Sequence, residues 1–91
     1  MRKPKPCAKL ENWAVVPSGN IATYKELKAG HLLVGRVYGH PRIAEGAFIF
    51  SSPILKLDAG GNIAETNNTA YVLGEASREY KAWSEREGAA A

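Results

Sequence analysis

Ninety-one residues with 45% hydrophobic side chains and a formal charge of +3 make one domain with a single core, and leave no chain for a second. Cys7 is the sole cysteine, so the chain can build neither an internal disulfide nor a cysteine-based zinc site, and its setting reads as intracellular. The charge is unevenly spread: Arg2, Lys3, Lys5 and Lys9 face only Glu11 in the first eleven residues, whereas the remainder is close to neutral, without the basic body that most nucleic-acid binders carry.

Residues 1–9 hold two prolines and four bases and read as a flexible basic arm. Their charged start resembles that of a signal peptide, yet no apolar stretch of about 7–15 residues follows, nor any run of the roughly 18–20 apolar residues that a membrane span needs. We therefore expect a cytoplasmic protein with no membrane association. The globular domain is expected over 10–88, with 89–91 as a frayed tail.

Asn12-Trp13-Ala14-Val15-Val16 is a short strand pattern halted by turn formers over 17–20. Thr23-x-x-Glu26 has capping-box spacing, and Gly30 would end such a helix after two turns; an irregular loop is the alternative. Residues 32–38 and 47–52 are apolar on both faces and pair antiparallel across the loop from Gly39 to Gly46. Gly35, in mid-strand, marks a bulge or the close approach of another backbone.

Beyond Pro53, residues 54–57 and 63–66 form a hairpin about Asp58-Ala59-Gly60-Gly61-Asn62, and 69–73 is a further strand. Ala76, Tyr80 and Trp83 then fall on one helical stripe, giving a C-terminal helix over 76–87 with Gly88 as its stop. The expected fold is α+β: a small antiparallel sheet of four to six strands, open or barrel-like, with one C-terminal helix.

Chemistry-bearing residues gather around the Gly39–Gly46 loop. His40 could act as a general base oriented by Glu45, which makes a small hydrolase or isomerase one reading. The plainer account is a histidine placed before Pro41 because an extended residue suits the turn. Arg42, alone or as a fork with Arg36, fits a carboxylate or phosphate; pairing with Glu45 or Glu65 is the alternative. His31 and His40 lack the further ligands that a metal needs, and no phosphate loop or nucleophile elbow occurs, so no metal or cofactor is expected. Asn67-Asn68-Thr69 is a glycosylation sequon without a secretory context.

Leu33-x-Gly35-x-Val37-x-Gly39-His40-Pro41-Arg42, then Gly46-x-x-Ile49-x-x-Ser52-Pro53-Ile54, then Thr66-x-Asn68-Thr69-x-Tyr71-x-Leu73-Gly74 resembles small accessory proteins of bacterial mobile elements such as phages, plasmids and integron cassettes. The resemblance spans residues 12–83 and brings no catalytic residue with it. It implies a non-enzymatic protein-binding module, an inhibitor of a host or defence protein being one such role. On this reading the contact residues are Tyr38, His40, Arg42, Glu45, Asn67 and Asn68, and the partner is another protein or a second copy. The alternatives are a nucleic-acid-associated protein that uses Arg2, Lys3, Lys5 and Lys9, and a small enzyme centred on His40.

Overall fold

The computed structural model describes residues 5–19 and 23–90. Six strands form one open sheet: β1 (Cys7–Val16), β2 (Leu32–Tyr38), β3 (Ala47–Phe50), β4 (Lys56–Leu57), β5 (Ile63–Glu65) and β6 (Ala70–Leu73), followed by α1 (Arg78–Ala90). The spatial order is β3-β2-β1-β6-β5-β4. The sheet is not a closed barrel, since β3 and β4 each have a single neighbour. Nor is it wholly antiparallel: β1 and β6 run parallel, with Cys7 opposite Ala70 and Leu10 opposite Leu73.

That parallel pair shortens the expected arm. Cys7–Lys9 belong to β1 because β6 runs alongside all three and β2 reaches Lys9, and Lys5 is held by Glu65. Arg2 and Lys3 lie outside the described residues, as does Asn20 of the expected turn. The chain end is corrected likewise, since α1 passes Gly88 and continues to Ala90; Ala91 lies outside the described residues.

Residues sharing a register position share a face. Leu10 with Val37, Val15 with Leu33, and Ala8 with Tyr71 and Ala64 lie on one face, and all seven are buried there together with Ile54. On the opposite face Ala14, Val34 and Phe50 are in line, as are Arg36 and Phe48.

β1 bulges between Glu11 and Ala14, with Asn12 at φ 55°. The bulge turns the Trp13 backbone toward the chain after β6. Trp13 accepts from the Ser77 N–H at 2.7 Å, and its indole N–H donates to the Gly74 carbonyl at 3.1 Å. Gly35 lies beneath the bulge: a Cβ there would stand 3.0 Å from both the Glu11 carbonyl oxygen and the Trp13 Cα. The expected close approach is thus another strand's bulged backbone.

Ser77 starts α1, its hydroxyl accepting the Tyr80 N–H at 3.1 Å as an N-cap. Tyr80 then packs among Trp13, Tyr24 and Trp83, each ring centroid 5.5 Å away. Its hydroxyl donates to the Lys25 carbonyl at 2.6 Å. Burial, with the Glu26 charge adding, pushes the phenol up to about 12. No helix forms around the Thr23 capping-box pattern. The Lys25 and Gly30 N–H groups bond to the Val15 and Ile54 carbonyls instead, so tertiary partners satisfy the backbone that a helix would have satisfied locally.

Candidate functional site

The Gly39–Gly46 loop is held from inside. The Gly39 N–H donates to the Glu45 carboxylate, and Gly46, at φ 77°, returns the chain to β3 with its N–H on the Val37 carbonyl at 2.7 Å. The Tyr38 ring lies over Gly46, 3.6 Å from where a Cβ would stand. Glu45 therefore organises the turn and does not orient His40.

His40 joins this loop to the turn before β6. Its Nδ1 accepts the Arg42 N–H at 3.0 Å, and its Nε2 lies 3.0 Å from the Thr69 hydroxyl. A backbone N–H can only donate, so Nδ1 carries no proton; Nε2 carries it and donates to Thr69. Neither nitrogen is left to take a proton from a substrate. The Thr69 hydroxyl faces a donor, so it is not activated, and Thr69 is 2% exposed. Thr69 is fixed by Thr66, whose N–H and hydroxyl both donate to the Thr69 carbonyl, at 2.9 and 3.0 Å.

The loop and the Asn67-Asn68 turn are thus brought together through His40 and Thr69. Both asparagines are exposed, and Asn68 Nδ2 donates to the Ser52 hydroxyl at 3.3 Å. Arg42 is exposed as well. Arg36 instead projects from mid-β2 and donates to the Gly46 carbonyl at 2.9 Å. Neither arginine pairs with Glu45 or Glu65 in any contact among the described residues.

The basic arm is partly committed. Lys5 donates to Glu65 at 2.8 Å and to the Thr66 carbonyl at 2.6 Å, and Lys9 pairs with Glu11 at 2.9 Å. The Lys5 hydrogen bond, with Lys56 contributing charge, holds the Glu65 carboxyl below its ordinary range. His31 Nδ1 donates to the Glu26 carbonyl at 2.8 Å, a loop-bracing contact remote from His40 in the chain. Among the described residues no three His, Cys, Asp or Glu side chains gather as a metal site. No described helix is long and apolar enough to cross a membrane.

A different feature offers unspent surface. Phe48 and Phe50, 53% and 52% exposed, stand edge to face on β3 with centroids 5.8 Å apart. They wall a groove of about 260 Å³ floored by Ala14, Val16 and Val34 and closed opposite by Tyr24, Ser77 and Glu79. Strand alternation puts Arg36 and Tyr38 on the same face, extending an aromatic and arginine stripe beside it.

The alternation of Ala47-Phe48-Ile49-Phe50 marks two apolar faces without saying which is covered. Arg36 was the available signal: register places a mid-strand arginine beside Phe48, so that face meets water. No protein-family model, curated protein or solved structure matches the chain.

Proposed function

We propose that this chain is a protein-binding module whose contact surface is the β2–β3 face, anchored by Phe48 and Phe50 and flanked by Arg36 and Tyr38. The observation that carries this reading is two adjacent half-exposed phenylalanines bordering an apolar groove. Half-exposed aromatics are costly to leave in water and enriched at interface centres, where arginine and tyrosine accompany them. Within the setting that the mobile-element resemblance implies, the partner is a host or defence protein. Arg42, Asn67 and Asn68 are exposed polar residues outside this surface, while His40 and Glu45 serve the loop itself.

The test is quantitative capture from a lysate of the native host, comparing the wild type with Phe48→Ser/Phe50→Ser and with Ile63→Ser on β5, at the other end of the sheet. A specific protein lost with the double substitution and kept with Ile63→Ser, both variants retaining wild-type circular dichroism, supports the reading. Equal capture by all three, or no specific capture by the wild type, overturns it.

A further inference from the structure

The two edges of the sheet are built differently. At one end β4 has only two residues, carries Lys56, and follows Pro53; Lys56 also lies 3.8 Å from Glu65. Shortness, a lysine and a nearby proline are the devices by which edge strands resist pairing with other chains. At the other end β3, four residues long and with the same Pro53 three residues beyond it, carries no lysine or other charge. From Gly46 to Ser52 the sequence is Gly-Ala-Phe-Ile-Phe-Ser-Ser, without a charge, and among the described residues β2 is its sole neighbour in the sheet.

The hydrogen-bond phase of β3 fixes which groups face outward. Ser51 donates its N–H to the Leu33 carbonyl at 2.8 Å, toward β2. Alternation turns the Ile49 backbone toward β2 as well, and points the N–H and C=O of Phe48 and Phe50 away from the sheet.

We infer that the β3 edge pairs antiparallel with β3 of a second copy about a two-fold axis at Ile49. This rests on the reading of the β2–β3 region as a contact surface and names one occupant of its edge. Register supplies the self-complementarity. With Ile49 opposite Ile49 of the second copy, each Phe48 faces the other copy's Phe50, and these are the residues whose backbone groups point outward. The pairing makes four N–H···O bonds between the copies, two for each Phe48–Phe50 pair.

Four phenylalanines then line one face, joining two grooves into a continuous surface. The uncharged 46–52 segment meets its own copy without like-charge repulsion, as an isologous contact requires. At about half exposure, Phe48 and Phe50 each leave roughly 100 Å² uncovered. With a strand this short, the contact falls below the ~1,200 Å² of stable complexes, which corresponds to a dimer dissociating at micromolar concentrations.

Sedimentation equilibrium of the full chain between about 1 µM and 1 mM should show a reversible monomer–dimer equilibrium. Phe48→Pro removes the outward N–H without touching the β2 ladder, and Phe48→Ala controls for the ring. By symmetry proline deletes two of the four bonds, so dimerisation of Phe48→Pro should be about 30-fold weaker than that of Phe48→Ala. Register is tested independently in a Cys7→Ser background. Opposed residues of a non-hydrogen-bonded pair lie about 4.5 Å apart at Cα, within disulfide reach, so Ile49→Cys should cross-link two copies under mild oxidation and Ala47→Cys should not. A monomer across the whole range, equal dimerisation of the proline and alanine variants, or equal cross-linking at both sites overturns the inference. A monomer that still loses its captured partner on Phe48→Ser/Phe50→Ser leaves the proposed function standing, so the two failures are distinguishable.

Discussion

Replacing His40 with alanine should destabilise the fold, and the size of the effect follows from the atoms left behind. The Arg42 N–H is on an exposed residue and finds water. The Thr69 hydroxyl does not, because Thr69 is 2% exposed and the imidazole at 3.0 Å is its polar side-chain partner. An orphaned buried hydroxyl costs about 1–3 kcal/mol, and at roughly 4–8 °C per kcal/mol for a domain of this size the midpoint should fall by about 4–24 °C. The informative experiment is a double-mutant cycle in chemical denaturation. Thr69→Val leaves the half-buried imidazole to water and should cost under about 1 kcal/mol; His40→Ala added to it should then cost almost nothing, since no hydroxyl remains to be stranded. The cycle should return a coupling of about 1–2 kcal/mol. A His40→Ala midpoint indistinguishable from wild type, or effects that simply add, would show that the 3.0 Å contact does not tie the loop to the β6 turn.

Gly35→Ala should cost about 2–3 kcal/mol, since its Cβ meets the Glu11 carbonyl and the Trp13 Cα, both backbone atoms at 3.0 Å that cannot swing aside; thermal melting checks this, and a loss below about 0.5 kcal/mol contradicts it. Tyr80 is an acid whose folded pKa is raised to about 12 from 10.0. The unfolded chain therefore releases its proton first, and stability should fall as pH rises from about 10 to 12, a slope that Tyr80→Phe should reduce in denaturant melts. Glu65 is the opposite case, its folded pKa being lowered by Lys5. Its stabilisation should be present at neutral pH and disappear as acid protonates the folded carboxyl, so the midpoints of wild type and Glu65→Gln should converge below the ordinary carboxylate range. A constant gap between them would remove Glu65 as the source.

Much of the sheet was legible because strand and turn chemistry act locally. Residues 32–38 declare themselves by apolar side chains on both faces, the Asp58–Asn62 turn by its glycines, and α1 by Tyr80 and Trp83, although it begins at Arg78 and the Ala76 expected within it bridges Trp13 instead. Three features were not legible, and each depends on distant chain. Cys7–Lys9 have the composition of a free arm and become strand because β6 pairs with all three and β2 reaches Lys9. Thr23 to Gly30 carries helix punctuation, yet its N–H groups go to Val15 and Ile54. The parallel β1–β6 pair joins segments some sixty residues apart, with no local signature in either. At the site, sequence located the loop chemistry at His40, Arg42 and Glu45 but could not show that Thr69 and the Gly39 N–H already engage two of the three.

That distinction decides where recognition falls. A polar side chain recognises a partner only with hydrogen-bonding capacity left over, and His40 has used both ring nitrogens while Glu45 holds its own turn. Lys5 and Lys9 likewise meet carboxylates in their own sheet, so two of the four bases in residues 1–9 are already paired. Apolar groups follow the opposite rule, because what they have left over is area. Phe48 and Phe50 keep about half of theirs, each burying more on association than a rim contact could. The backbone between them keeps its outward N–H and C=O groups as well, through the same register that exposes the rings. Side-chain area and backbone valence left over on one four-residue strand are what support the proposed contact surface at β3, one turn away from the loop whose residues are chemically richer and already occupied.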